Sequence, residues 1–486
     1  MVLLKIIIRT SSGKLRKKIN TKYSSNAQYT LQLLQLLSDH SSDIVFQRKL
    51  TSEGPVTIIF SSSLIEKMTL QAVVLAPLTH SIYQIQQTAE QLAYNQIAKL
   101  ENKINAGYTI LYFHETKQFL ALDTYSAPVR AIAETEVEST VIGPQDAFTE
   151  SLTTNISLIR RRIQEHSLKN ESICLGSQNQ YQISIMYMDN IVNKKLLKRL
   201  RKRLQQIEVP PLLDITVLKQ LIEDNPLSPF PQYYISVRPD TITHYLLDGR
   251  IALLMDNSPT VIICPTSFFE MFTTIEDYYN RWTTATLLRS LRFFGFFLTI
   301  MITPMYISTL TFHPELLPYE LLLNLQESRS QVPFPPLFEV LFIELIIEVL
   351  REAGSRMPAK VGQTIGIVGG IVIGTAAVEA GLISNILIVL VATSALLSFL
   401  PPTFLMSNTS RLVRYFFIIA AGLFGLFGQM LAFAWLIIHL LSLRSLGEPY
   451  IAPFIPRKWT DLFNSVVRFP MNFLKNRMGI SKSQKS

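Results

Sequence analysis

The sequence predicts a two-part α/β N-terminal module followed by a C-terminal α-helical, polytopic transmembrane module, and three observations carry that prediction. Hydropathy is uneven along the chain: 48% of residues are hydrophobic, but the long apolar runs crowd between Leu291 and Leu443, whereas residues up to Leu287 are mixed and polar. Before Leu287, short β-branched and aromatic runs alternate with amphipathic stretches, as layered strands and helices require. Finally, Gly362, Gly366, Gly370 and Gly374 recur at four-residue spacing inside the apolar run from Val361 to Val378. A mid-helix glycine costs about 1 kcal/mol relative to alanine in water. Four on one stripe therefore point to lipid, where small residues let helix backbones pack closely.

The expected organisation is a first α/β subdomain over 1–140, a second over 141–287, a transmembrane helical domain over 288–450 and a basic C-terminal tail over 451–486. The opening MVLLKIIIRT is too short an apolar stretch for a signal peptide and reads as a strand. Asp43 to Lys49 and Val56 to Phe60 read as strands, Leu64 to Asn105 as mainly helical, and Thr109 to Phe113 with Gln118 to Asp123 as a hairpin. After a turn-rich passage, the second subdomain reads as helix Asp146 to Gln164, strand Ile183 to Met188, basic helix Asn193 to Ile207 and helix Ile215 to Ile222. Strand Tyr233 to Val237, helix Ile242 to Asp248 and strand Ile251 to Met255 complete it. The triplet Arg160, Arg161, Arg162 is expected on a solvated or lipid-facing surface.

Phe293 to Thr311 is long enough to cross a bilayer, and Arg281, Arg289 and Arg292 before it place its start in the cytoplasm by the positive-inside rule. A polar connection from His313 to Pro336 suits the opposite side. On the helix from Leu337 to Glu352, the acids Glu344 and Glu348 share a stripe with Arg351 and Glu352. Acids at membrane depth face a partner, a water-filled cavity or an ion path; an interfacial helix with its acids in water has the same spacing. The glycine-ladder helix and the span ending near Pro401 form a hairpin whose tips, at Lys360 and Arg411, are expected in the cytoplasm. The last run, Val413 to Leu443, is broken by Gly422, Gly425 and Gly428. It is too long for one upright span and short for two, which leaves the side of the tail open.

Opposite the glycines lie Thr364, Val368, Ile371, Thr375 and Glu379. This stripe suits a narrow pore lining once copies pack through their glycine grooves; equally, the threonine hydroxyls can bond their own helix carbonyls. No catalytic constellation is present: the chain lacks GxxxxGK(S/T), HExxH and GxSxG patterns, its seven histidines are isolated, and its two cysteines, Cys174 and Cys264, build neither a disulfide framework nor a metal site. No enzyme activity, cofactor or metal is expected. The carboxylates Asp214, Glu223, Asp224, Asp240, Asp248 and Asp256 sit at element ends, where capping explains them. The net charge of +9 comes with a basic cluster from Lys194 to Arg203 and a basic tail. An anionic lipid surface is the simpler partner for both, and nucleic acid is excluded.

Ordered blocks then give the chain a likeness. Gly143-Pro-x-Asp-Ala-Phe-Thr-Glu-Ser151, Leu158-Ile-Arg-Arg-Arg162, Ser228-Pro-Phe-Pro231, Arg238-Pro-Asp240, Leu247-Asp-Gly-Arg250 and Asp256-Asn-Ser-Pro259 lie in the first half. Glu276-Asp-Tyr-Tyr279, Val332-Pro-Phe-Pro335, Leu350-Arg-Glu-Ala-Gly354, Arg356-Met-Pro358, Val378-Glu-Ala-Gly381 and Pro449-Tyr450 follow. In order and spacing these resemble the A subunit of GerA-type spore germination receptors, and many are shared with the sporulation protein SpoVAF of the same family. The chain departs from the family's usual EP-rich stretch at Ala133-Glu-Thr-Glu-Val-Glu138. The resemblance implies a multi-pass protein of the spore inner membrane with its two-part N-terminal module in the cytosol. It also implies a transporter-like B subunit and a lipoprotein C subunit as partners, and homo-oligomers that form a nutrient-gated cation channel. A secondary transporter or a membrane scaffold are the other classes the sequence leaves in view.

Overall fold

The computed structural model describes residues 27–38, 41–51, 54–80, 82–126, 138, 140–176, 180–207, 212–356, 374–455 and 465–470. The N-terminal strand expected at Met1 to Thr10, Gly362, Gly366, Gly370, Thr364, Val368 and Ile371, and most of the basic tail lie outside them.

Two five-stranded antiparallel sheets build the N-terminal half. The first contains β1 (Ile44–Thr51), β2 (Gly54–Ser61), β3 (Glu90–Leu92), β4 (Tyr108–Phe113) and β5 (Gln118–Asp123), ordered β1-β2-β4-β5-β3. The second contains β6 (Leu168–Leu175), β7 (Tyr181–Met188), β8 (Tyr234–Ser236), β9 (Ile251–Met255) and β10 (Val261–Cys264), ordered β6-β7-β9-β10-β8. The two orders are one pattern repeated, and every pairing is antiparallel in both.

Helices repeat with the strands. α1 (Ala27–Leu37) precedes the first sheet and α2 (Ile97–Asn105) leads into β4, as α3 (Leu152–Arg162) precedes the second and α6 (Pro239–Leu247) leads into β9. Between β7 and β8 run α4 (Lys194–Gln206) and α5 (Ile215–Ile222). The local chemistry matches as well. After β2 the turn buries Leu64 and Ile65, and after β7 the equivalent turn buries Ile191 and Val192. The helix-to-strand corners are made by Gly107 at φ 89° and Gly249 at φ 86°, a conformation that L side chains rarely adopt.

The polar ends of these units are fixed by named bonds. Ser151 caps α3 through Thr154 N, Asn193 caps α4 through Lys195 N, and Asp214 caps α5 through Thr216 N. Asp256 accepts from Leu152 N at 3.0 Å. Capping thus accounts for Asp214 and Asp256, whereas Asp224 and Asp240 are ion-paired, with Arg203 and Arg238.

The helical part begins with α7 (Trp282–Thr311) and continues through α8 (Tyr319–Arg329), α9 (Pro336–Ser355), a helical turn over 374–379, α10 (Asn385–Leu397) and α11 (Phe404–Ser442). Among the described residues, α7 and α11 are long and apolar enough to cross a membrane. Contacts set the directions. α10 runs against α7, with Tyr306 hydroxyl 3.0 Å from Ser384 Oγ at one end and Ser394 Oγ donating to Thr299 O at 3.1 Å further along. α9 runs against the first half of α11, with Leu337 on Gly422, Glu344 on Arg414 and Glu348 on Arg411.

α11 is itself a hairpin. Gly425 leaves helical geometry (φ 61°, ψ −141°), Phe416 meets Trp435 at 4.8 Å between ring centres, and a Cβ on Gly428 would lie 2.0 Å from Ala420 O. Thr409 near its start donates to Pro229 O at 2.6 Å, and His439 near its end lies 2.9 Å from Ser228 Oγ. The run whose length fitted neither one span nor two is therefore two antiparallel helices folded at a glycine. The arm from Phe404 to Gly425 is about 30 Å long at helical rise.

Beyond Ser442 the chain returns to the second α/β unit as a two-stranded strap, β11 (Arg444–Ser445) and β12 (Glu448–Pro449). Ser445 Oγ donates to Gln232 O at 2.7 Å, Tyr450 OH to Pro231 O at 2.6 Å, and Phe268 N to Tyr450 O at 2.8 Å. Tyr450 is fully buried.

Candidate functional site

A buried charged cluster lies inside the helical bundle. Glu344 of α9 and Arg414 of α11 are both wholly inaccessible, with Nη2 to Oε2 at 2.6 Å, and Arg414 Nη1 donates to Ser394 Oγ of α10 at 2.8 Å. About 15 Å of helix separates Arg414 from each end of its arm, so the pair sits at mid-depth of the bundle. One turn nearer the α/β unit, Glu348 pairs with Arg411, which also binds Asn408. Arg351 donates to Ser398 Oγ at 3.1 Å and covers the Phe399 ring at 4.5 Å. Phe338, Phe342, Leu345 and Val349 point outward instead.

Of the two readings open for this helix, the acids take the partnered one. Each meets an arginine that sequence spacing does not reveal, because Arg411 and Arg414 lie far along the chain. Arg411, expected as a cytoplasmic hairpin tip, is a part-buried helical residue held by Glu348. At the end of the bundle remote from the α/β unit, Glu339 is equally buried: it accepts from Ser384 N at 2.6 Å and lies 3.3 Å from Arg329 Nε.

Three members of the predicted pore stripe and glycine ladder are described. Gly374 faces Ile388 of α10, with that side chain 3.6 Å from where a Cβ would stand, while Thr375 and Glu379 are exposed.

The ordered blocks converge at joints. Gly143 (φ 114°) lies under the Tyr279 ring, and Tyr279 OH donates to Asp240 Oδ2 at 2.9 Å. Arg238 donates to Asp240 at 2.7 Å and to Pro144 O at 2.7 Å. Burial raises the Asp240 carboxyl, but the Arg238 guanidinium, the Tyr279 hydroxyl and the Thr241 N–H together hold the group below its ordinary value. Glu138, which accepts from Ser236 Oγ at 2.7 Å, is pushed up to about 7 by loss of solvent, against the pull of Ser236 and Arg238. Arg250 forks onto Glu270, whose carboxylate also receives Ser267 N at 2.9 Å.

At the entry to the bundle, Asp277 collects Arg289 Nε at 3.2 Å and Arg292 Nη1 at 2.9 Å, while Arg468 binds the Asn280 carbonyl at 2.7 Å. Of the three arginines on which the expected cytoplasmic start of the first span rests, Arg289 and the part-buried Arg292 are thus ion-paired with Asp277, and Arg281 is exposed. Between the two α/β units, Arg160 grips Asp43 with two bonds, one of 2.8 Å. The arginine triplet expected on a surface is divided: Arg160 is buried, Arg162 binds Asp146, and Arg161 is exposed.

The chain is 40% identical to spore germination protein GerQA of Bacillus cereus over 471 residues, 95% of this chain and 94% of that one. It is 42% identical to spore germination protein GerIA of Bacillus cereus over 388 residues, 79% of this chain and 58% of that one. A crystal structure of the N-terminal domain of the A subunit of a Bacillus megaterium spore germinant receptor matches at 26% identity and a TM-score of 0.39, covering 50% of this chain and 96% of that one. Residues 32–480 match the family described as Bacillus/Clostridium GerA spore germination protein, and the chain belongs to that family.

Proposed function

We propose that this chain is the A subunit of a nutrient germinant receptor of the spore inner membrane, with its two α/β subdomains (1–140 and 141–287) in the cytosol. In this reading, copies assemble around a common axis into a cation channel that opens when nutrient binds the complex. A transporter-like B subunit and a lipoprotein C subunit complete the receptor. Family membership supports the setting.

The observation that carries the channel reading is the exposure of Glu379 and Thr375 on a turn whose Gly374 faces α10. Glu379 stands five residues before Ser384, at the end of the bundle remote from the α/β unit, where a carboxylate is stable in water. Copies arranged with this face towards one another bring such carboxylates together at one pore mouth. By spacing, Thr364, Val368 and Ile371 continue the lining, and Gly362, Gly366 and Gly370 continue the packing face. Glu344 and Glu348, expected along the ion path, act in this reading as partners of Arg414 and Arg411 that hold the wall of the pore. A secondary transporter is the weaker reading, because the repeated topology among the described elements lies in the α/β units and not in the helices.

The test is cation flux through the purified receptor in liposomes, started by nutrient. Glu379→Lys is expected to lower cation flux about tenfold and Glu379→Gln by less, both at normal abundance. Unchanged flux in both variants overturns the assignment of this face to the pore.

A further inference from the structure

α4 carries its apolar residues, Leu196, Leu197, Leu200 and Leu204, into the core and leaves the opposite face basic. Its other charges have partners: Lys194 pairs with Asp189, Arg201 with Glu171, Arg203 with Asp224, and Arg199 donates to Leu446 O. Lys195, Lys198 and Lys202 are exposed and meet no acidic group among the described residues. On the helix surface Lys195, Lys198 and Lys202 form one stripe at i, i+3 and i+7, and Lys195 and Lys202 lie within a turn of Arg199 on either side.

Arg199 also fixes where this face lies. Leu446 belongs to the strap immediately after Ser442, the last residue of α11, so the lysines stand beside the point at which a membrane-length helix leaves the bundle. A second link runs through Asp224, which binds Arg203 of α4 and accepts from Gly447 N of the strap at 3.0 Å. Three residues on, Leu227 is 99% exposed. It directly precedes Ser228 and Pro229, which bind both ends of the α11 hairpin. A fully exposed leucine and three uncompensated lysines thus share one rim with the helix ends.

We propose that this rim is a lipid-docking surface: Lys195, Lys198 and Lys202 bind the phosphates of anionic phospholipid headgroups while Leu227 enters the acyl boundary. Each lysine near an anionic surface adds to the attraction, which is screened by salt. A side chain such as Leu227 gains by leaving water for that boundary. The docking clamps the second α/β unit against the bilayer. It rests on the reading that α7 and α11 span the membrane.

The experiment uses the full chain in nanodiscs of phosphatidylcholine alone or of phosphatidylcholine with phosphatidylglycerol, labelled by a water-soluble amine reagent and read by peptide mass spectrometry. Lys195, Lys198 and Lys202 are expected to label at least about fivefold more slowly in the anionic discs at low salt and to recover at high salt, while Lys67 of the first unit labels equally in both. Equal labelling in the two bilayers overturns the proposal. So does protection that ignores lipid charge and salt, which assigns the face to a protein neighbour. Ile419→Cys, exposed on the first arm of α11, in a Cys174→Ser background that removes the exposed native thiol, carries a fluorophore in a parallel sample with brominated acyl chains. Its failure to be quenched overturns the spanning reading itself, whereas quenching there with unprotected lysines overturns the docking alone.

Discussion

Arg160 and Asp43 close a buried ion pair between the two α/β units, and Asp43 also accepts from Ser63 Oγ at 3.2 Å. Removing one partner strands the other charge away from water, which costs about 3–5 kcal/mol. Arg160→Ala is therefore expected to loosen the units from one another before either unfolds. Limited proteolysis of the full chain should show new cleavage sites, and cleavage identical to that of the parent would mean that the other contacts between the units suffice.

The Glu344–Arg414 pair is expected to behave as one object. Glu344→Gln or Arg414→Gln alone should lower receptor abundance in the membrane, by the same few kcal/mol of uncompensated charge, about 3–5. The double glutamine variant should recover much of it, because neither charge is then left alone. Additive losses in the double variant would show that the two side chains do not depend on each other.

Gly425 adopts φ 61° with the Phe312 ring 2.8 Å from where a Cβ would stand. Gly425→Ala should cost about 2 kcal/mol or more from backbone strain and collision together. Adding Phe312→Ala should restore part of the lost abundance by removing the ring, although the Phe312 Cβ at 2.9 Å stays. No recovery would locate the cost in the backbone and in that remaining Cβ contact.

Glu138 gives the α/β module a pH dependence. Its folded-state value is about 7 against an ordinary 4.5, so the folded form prefers the neutral acid. Its contribution to stability is complete below about pH 4.5 and is lost as pH rises through about 7. Glu138→Gln keeps a neutral group at every pH and should melt at a temperature that falls less than the parent's between those values. Parallel pH profiles for the two proteins would remove Glu138 as the cause.

Where periodicity and turn chemistry act locally, the fold was legible in the sequence. β1, β2 and the β4–β5 hairpin follow the expected runs, because alternation and the turn at Glu115 to Lys117 are local signals. β6 is not legible because Leu168–Leu175 mixes Lys169, Asn170 and Glu171 among its apolar residues; Lys169 and Asn170 are nevertheless buried, Asn170 accepting from Ser184 Oγ of the partner strand, and Glu171 is part-buried under Arg201. β10 is only four residues long. The repeat of topology was illegible for a different reason: strand order is a property of long-range pairing, and the two units share little beyond a pair of apolar residues in a turn and a glycine at a corner. In the candidate site, the acids could be read from helical spacing. Their partners could not, since Arg411 and Arg414 reach Glu348 and Glu344 through folding alone. Arg160 was misplaced because three adjacent arginines resemble a surface, whereas successive helical residues point in different directions.

The strap that follows α11 makes the helical bundle a closed mechanical circuit. α7 leaves the second α/β unit at Asp277, and the chain re-enters the same unit at Pro231 and Gln232 through Tyr450 and Ser445. A bundle tethered at one end swings freely, but one anchored at both ends can be twisted by its anchor. Any rotation within the second unit is thereby delivered to the first and last helices together, as torque rather than as drift.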